Sequence, residues 1–131
     1  HFALVSADEI LLREVPDEDR ADWIGNEIEE RYLEPWFCDS DKAWDAIHRA
    51  FDNSALSYDA STPLKGVILG GEPLYFEGDY ILSFKSPAYV RQIADALEAV
   101  SVEAFRKLYF AIDESQYGCP VDEEDFLYSV N

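Results

Sequence analysis

Apolar residues at helical spacing are the feature that most limits the fold of this chain. They recur three and four positions apart in four segments, namely residues 17–33, 41–51, 87–99 and 101–112, and this spacing is typical of one buried helix face. Tyr80–Phe84, which is rich in β-forming residues, is the strongest strand candidate. The pattern predicts an α+β fold in which several helices pack on a small, short-stranded β-sheet.

Capping signals place the starts of several helices. The short apolar run from Phe2 to Ser6 predicts a strand. Ser6-Ala-Asp-Glu9 then matches a capping box and predicts a helix to about Glu14. Ser40 is expected to cap a helix over Asp41–Phe51. Ser86 before Pro87 predicts another helix start, and Ser101 a further one.

Two of these helices carry apolar stripes that we expect to face the core. The helix predicted over Asp17–Leu33 has a stripe formed by Trp23, Ile24, Ile28 and Tyr32. In the helix that follows Ser86, the residues expected to point inward are Val90, Ile93, Ala94 and Leu97.

The charge balance excludes several classes of partner. The chain has 131 residues, which predicts one domain over 1–131, and 28 acidic residues against 10 basic ones give a net charge of −18. Binding to nucleic acid or to an anionic membrane needs Lys and Arg, so neither partner is expected. No apolar run approaches the length of a membrane-spanning helix.

The negative charge is concentrated near the two ends of the sequence. Residues 8–34 hold 11 acids and 3 bases, and residues 114–131 hold 5 acids and no base. Residues 79–113 are nearly balanced, with 5 acids and 4 bases. We therefore expect two acidic flanks around an ordinary core.

Two cysteines and the absence of methionine bear on the setting of the protein. Cys38 and Cys119 fit no metal-binding or redox spacing, so we interpret them as reduced thiols of a cytoplasmic protein, although a disulfide stays open. The chain has no Met and stops within a helical pattern. We expect an initiator and a C-terminal segment outside the sequence given.

A helix motif in the first half of the chain resembles a known family. Residues Asp39–His48 contain a Lys-x-Trp-Asp-x-x-His pattern, followed by Pro63-Leu64 and by Val67–Gly71. This order is similar to that of the YfbM-like family, a bacterial domain of unknown function, over most of residues 2–128. The resemblance implies a soluble α+β protein and no established activity. Residues Ala50–Asn53 depart from the Leu-Thr-Gly turn that is common in the family.

His48 is the sharpest candidate for a functional side chain. Trp44 lies one turn before it, and Asp45 and Asp52 are placed to orient or charge its ring. We predict a binding site formed by Trp44, Asp45 and His48. The competing interpretation is a histidine at the edge of the core that bonds to an acid or a carbonyl.

Gly70 and Gly71 follow an apolar run and are included in the predicted binding site, since such a turn can hold a phosphate. They lack the GxGxxG and Walker patterns, and a plain tight turn is the alternative. No catalytic residue, metal site or cofactor is predicted.

Three hypotheses for function remain. The first is an acidic inhibitor or immunity-type protein that neutralises a basic toxin or nuclease, because an acidic surface steers onto a basic one. The second is a small ligand-binding domain or enzyme with a pocket around His48 and Trp44. The third is that the acids serve solvation alone. The residues favour a protein that is not an enzyme without deciding the question, and they leave the oligomeric state open.

Overall fold

The computed structural model describes residues 1–32, 39–40, 42–58, 60–75 and 81–130. The chain divides into two compact units. Unit 1 comprises His1–Ser40 and Tyr75–Leu82, and unit 2 comprises Asp41–Leu74 and Ser83–Asn131. The described residues form seven α-helices, one π-helical turn and a two-stranded antiparallel sheet. The α+β prediction is therefore confirmed, with helices predominant.

Unit 1 is built from two helices and a π-helical turn. Helix α1 covers Ser6–Glu14, and α2 covers Asp17–Trp23 and continues as a π turn over Ile24–Ile28. The amide of Glu29 donates to the carbonyl of Ile24 at 3.0 Å, which closes the wider ring of that turn. The predicted stripe is confirmed, since Ile24, Ile28 and Tyr32 are buried and Trp23 is half-buried.

The start of α1 differs from the predicted capping box. The carbonyl of Val5 accepts the amides of Asp8 and Glu9, so the helix begins at Ser6 and has no side-chain cap. The Glu9 carboxylate instead pairs with Arg13 at 3.4 Å. The capping box is wrong because Ser6 lies inside the first turn, and of residues 1–5 only Phe2 forms a β-bridge.

Unit 2 has an aromatic core. Helices α3 (Ala43–Phe51), α5 (Val102–Tyr109) and α7 (Glu123–Val130) pack against one another, and the short α6 covers Glu114–Tyr117. The buried members of the core cluster are Ala46, Ala50, Phe105, Tyr109, Ile112 and Phe126. Tyr109 is fully buried, and its ring meets that of Phe126 edge-on at 5.4 Å.

Helix α3 begins later than predicted. Its first residue is Ala43, and the preceding Lys42 offers no side-chain cap. Ser40 is therefore not the cap of this helix, and Asp41 lies outside the described residues. In contrast, the caps at Ser86 and Ser101 are confirmed, because their hydroxyls accept the amides of Tyr89 and Ala104.

The sheet pairs β1, Glu72–Tyr75, with β2, Leu82–Phe84. The strand predicted over Tyr80–Phe84 is confirmed for its last three residues, and Tyr80 lies outside the described part of the chain. Helix α4, Pro87–Glu98, follows β2 after the Ser86 cap.

The inward stripe predicted on α4 is wrong except at Ile93. Ile93 is buried, but Val90 is 48% exposed, Leu97 is 37% exposed and Ala94 is also exposed. No described helix or strand packs extensively on α4, so no described element covers these side chains. No helix among the described residues is both long and apolar enough to cross a membrane.

Candidate functional site

Helix α3 places His48 in the interior, away from the aromatic core. Ala43, Ala46 and Ala50 form the buried apolar line of this helix. At about 100° per residue, His48 lies about 140–160° from the members of that line, yet only 1% of it is exposed. The nearest groups identified are Asp52 at the end of α3 and Ser57 in the loop that follows.

The environment of His48 favours the neutral imidazole. Burial lowers the pKa of His48 below 6.5, against the opposing influence of the Ser57 backbone and of the negative charges on Asp52 and Asp45. Asp52 Oδ2 lies 3.8 Å from Nε2, which is too far for a hydrogen bond. Neither ring nitrogen has a hydrogen-bond partner of good geometry among the described residues, although the Ser57 backbone lies close enough to act on the ring.

Asp52 is the centre of a buried polar cluster beside His48. It is 3% exposed and accepts hydrogen bonds from Ser57 Oγ at 2.5 Å and from Lys65 Nζ at 3.0 Å. Burial alone would raise the pKa of Asp52, but the bonds from Ser57 and Lys65, with the nearby positive charge of Lys65, hold it below 3.8. The two bonds join the loop to the end of α3.

Asp45 does not join the His48 cluster directly. Its Oδ1 pairs with Arg49 Nε at 2.6 Å, one turn along α3. Arg49 also donates to the carbonyl of Ser54 at 2.8 Å and lies over the ring of Tyr117. Trp44 is half-buried on the same side of the helix as His48. The structure thus joins His48 to Asp52 more closely than to Asp45.

Gly70 and Gly71 lie where backbone segments approach closely. A Cβ at Gly70 would stand 2.3 Å from the Cα of Gly66. Gly71 has a φ of +108°, and a Cβ there would stand 2.3 Å from the carbonyl oxygen of Phe84. These contacts account for both glycines in structural terms, and the part of the prediction that gives them a ligand stays a prediction.

Lys85, which follows β2, and Tyr89, in α4, both contact the segment that contains Gly66 and Gly70. Lys85 Nζ donates to the carbonyl of Ile68 at 2.7 Å, and burial lowers the pKa of Lys85 to about 8. The Tyr89 hydroxyl lies against Gly66, so closely that any Cβ there would collide with it. Neither residue was singled out by sequence, because both contacts join positions 17 or more residues apart with no local signal.

A small depression lies at the C-terminal end of α3. It encloses about 150 Å³ and is lined by Arg49, Ala50, Asn53, Ser54, Leu108 and Ala111. Asn53 and Ser54 both adopt positive φ, +52° and +70°. His48, Trp44 and the two glycines do not line it.

The exposed face of α2 and its π turn is strongly acidic. Eight acids between residues 14 and 30 are exposed: Glu14, Asp17, Glu18, Asp19, Asp22, Glu27, Glu29 and Glu30. Arg20 pairs with Asp17 at 2.7 Å, and Arg31 pairs with Glu27 at 2.8 Å. No basic side chain of the described residues pairs with the four acids Glu18, Asp19, Asp22 and Glu30. We call Glu18, Asp19 and Asp22 the acidic triplet.

Unit 1 also contains a buried carboxylate. Asp8 is 4% exposed, accepts a hydrogen bond from the Tyr32 hydroxyl and pairs with Arg31 at 2.8 Å. The bond from Tyr32 is the main cause that lowers the pKa of Asp8, and Arg31 adds to it against burial. The Tyr32 oxygen accepts a hydrogen bond from the amide of Val5 at 3.0 Å. The cluster therefore connects the start of α1 with the residues that follow the π turn.

Across the described ranges, no three His, Cys, Asp or Glu side chains are grouped so as to hold a metal ion. Cys119 is a free, exposed thiol, and Cys38 lies outside the described residues.

A family model described as a domain of unknown function (DUF1877) matches residues 2–125 of the chain. No curated protein and no solved structure matches the chain significantly. The match covers α1 to the first turn of α7 and carries no activity with it.

Proposed function

We propose that this chain, which belongs to the DUF1877 family of domains of unknown function, is an acidic protein-binding protein that covers a basic surface of its partner. The partner class is a basic toxin or nuclease, and the setting is the cytoplasm of a bacterium. The likeness to the YfbM-like family is part of this proposal.

The acidic face of α2 is the observation that supports the proposal. The acidic triplet lies on one short stretch of helix, is exposed, and forms no ion pair with a described residue. A base three or four positions away on the helix surface would offset such acids, whereas Glu18 and Asp22, four positions apart, repel each other. Here the available arginines, Arg20 and Arg31, are taken by other carboxylates.

Such a surface acts on a basic partner through its electrostatic field. Complementary charge raises association rates by about 10- to 1000-fold and suppresses wrong partners. The effect extends over about 8 Å at physiological ionic strength. The proposal therefore predicts fast, salt-sensitive association with basic proteins and none with acidic ones.

The test compares two variants of equal charge. One neutralises the acidic triplet with Glu18→Gln, Asp19→Asn and Asp22→Asn. The other neutralises three exposed acids of unit 2 with Asp95→Asn, Glu103→Gln and Glu124→Gln. Association with any basic toxin or nuclease encoded beside the gene is followed by stopped-flow or surface plasmon resonance.

We expect the first variant to associate about tenfold more slowly and the second to stay close to the wild type. Equal slowing in both variants would mean that total charge, not the α2 face, attracts the partner. Absence of any binding to those basic proteins, together with stability that rises steeply with added salt, would favour solvation as the role of the acids.

A second candidate function is a small ligand site beside His48. It is favoured by one observation, which is that a side chain 1% exposed has two ring nitrogens without a hydrogen-bond partner of good geometry in the described part of the chain. Such groups in proteins often mark a bound water or a functional role. NMR tests this candidate, because a ligand bound beside His48 should shift the signals of its ring. The Lys65→Met variant should lose those shifts if Lys65 binds the ligand and keep them if it does not. Unchanged ring signals in the wild type would contradict the candidate.

A further inference from the structure

The exposed apolar stripe of α4 has a definite geometry. Val90, Ala94 and Leu97 fall within about 60° of one another around the helix, at about 100° per residue. Val90 is 48% and Leu97 is 37% exposed, and Ala94 is exposed with them. Ile93, about 60° away from Val90 on the other side, is the only buried residue of this helix. The stripe is therefore adjacent to the core side and open over about two turns.

The stripe has one charged border. Arg91 and Glu98 lie on the same flank of the helix, about 80–100° from Val90, and the exposed Asp95 lies farther round that flank, about 140° from Val90. Arg91 and Glu98 are both exposed, and neither forms an ion pair with a described residue. They stand seven positions apart, about 10 Å along the axis, which is too far for them to pair with each other within one helix.

The arrangement is self-complementary. When two copies of α4 lie antiparallel around a two-fold axis beside Ala94, Arg91 of one copy meets Glu98 of the other, and the reverse pair forms as well. Ala94 at the crossing point is small enough for close approach, and Val90 of each copy meets Leu97 of the other. Isologous contacts of this kind are the commonest in homodimers.

From this pattern we propose that α4 is a self-association surface on which a second copy of this chain packs antiparallel. A purely basic partner would meet Arg91 as a like charge, and a purely acidic one would meet Glu98. A second copy presents both charges in reversed order. The inference does not depend on the proposed acidic binding function, since it concerns a different helix.

The net charge of −18 per copy opposes association but does not prevent it here. The charged residues of α4 are Arg91, Asp95 and Glu98, a net charge of −1, so the contact itself is nearly neutral. At 0.15 M salt, charges beyond about 8 Å are largely screened. One pair of helices about 18 Å long buries little area, so we expect a weak, concentration-dependent dimer.

Analytical ultracentrifugation of the full chain in 0.15 M salt tests the proposal, from micromolar to near-millimolar concentration. The variants are Arg91→Glu, Glu98→Arg and the double charge exchange. Each single change puts like charges together twice per dimer, and we expect the dissociation constant of the dimer to rise about tenfold. The double exchange restores both pairs in reversed sense and is expected to return the dimer to wild-type strength.

Gln92→Glu is the matched control, since it alters charge on the opposite, exposed side of α4 and is expected to leave association unchanged. Circular dichroism establishes that each variant keeps its helices. A monomer at every concentration overturns the proposal. So does a dimer that the single charge changes leave intact, or one that the double exchange fails to restore.

Discussion

Units 1 and 2 contain the same number of acidic residues but balance them differently. Each has 14, while unit 1 has 3 basic residues and unit 2 has 7. Unit 1 thus carries a net charge of −11 on 48 residues, and unit 2 carries −7 on 83. Both units bury one carboxylate, Asp8 in unit 1 and Asp52 in unit 2.

The two units differ in what surrounds that carboxylate. Unit 2 has an aromatic core in which Phe105, Tyr109 and Phe126 contact one another. Unit 1 buries Leu12, Ile24, Ile28 and Tyr32, and the Asp8 cluster ties Tyr32 and Arg31 to helix α1. An aromatic core therefore distinguishes unit 2, and a denser negative charge distinguishes unit 1.

The largest effect is expected from the aromatic core. Phe126→Ala leaves a cavity beside Phe105 and Tyr109 and should destabilise unit 2 by about 3–5 kcal/mol. Urea unfolding with hydrogen exchange of peptides from each unit measures the change. Leu127→Ala, at a position 50% exposed, is the control and should cost well under 1 kcal/mol. Equal loss of protection in both units would contradict the division drawn here.

The next effect concerns unit 1. Asp8→Asn removes the charge that Arg31 and Tyr32 bind and should cost about 1–3 kcal/mol in that unit. Tyr32→Phe should cost less, and the two changes together should cost less than their sum, because they remove one shared bond. Additive effects in a double-mutant cycle would mean that the short Tyr32–Asp8 contact contributes nothing.

A pH dependence should distinguish the units. The pKa of His48 is lowered in the folded state, so near and below pH 6.5 the unfolded chain binds more protons than the folded one. The stability of unit 2 should therefore decrease as the pH is lowered. The slope cannot exceed about 1.4 kcal/mol per pH unit for one group. The contributions of Asp8 and Asp52, whose pKa values are lowered, are lost only below about pH 3.8.

Hydrogen exchange of each unit between pH 7 and 5 measures this difference. Unit 2 should lose protection and unit 1 should not. His48→Phe, which keeps a buried ring without a titrating group, should remove the slope. A slope that survives this substitution would assign the effect to another group.

The smallest effect has opposite signs in the two units. Gly25→Ala in unit 1 adds a Cβ that meets nothing within 4 Å and should stabilise by about 0.5–1 kcal/mol. Gly71→Ala in unit 2 meets the Phe84 carbonyl at positive φ and should destabilise. Thermal unfolding of both variants tests the pair, and stabilisation by Gly71→Ala would show that the turn has room to relax.

Local signals were sufficient for some parts of the fold. Ser86 and Ser101 cap their helices as predicted, since a cap involves residues only three positions apart. The inward stripe on α4 failed because periodicity reports a side that could be buried, and whether anything covers it depends on the tertiary arrangement. The capping box at Ser6 failed because Val5 supplies a competing acceptor.

The candidate site was predictable in part for the same reason. The sequence places Asp52 one turn after His48, and the two are indeed near each other. Ser57 and Lys65 reach Asp52 through a loop whose closure has no periodic signal, so neither was anticipated. It remains a prediction that a ligand is bound by Trp44, Asp45, His48, Gly70 and Gly71.

The π turn at Ile24–Ile28 has a consequence for how the length of this helix can vary among relatives. In a regular α-helix, residues four apart drift by about 40° around the axis, and the wider π turn offsets this drift between Ile24 and Ile28. Tyr32 can then stay on the buried side and bind Asp8. Loss or gain of one residue between these points would rotate the tyrosine off its carboxylate. Alignments of relatives should therefore show substitutions in this stretch and no single-residue gaps.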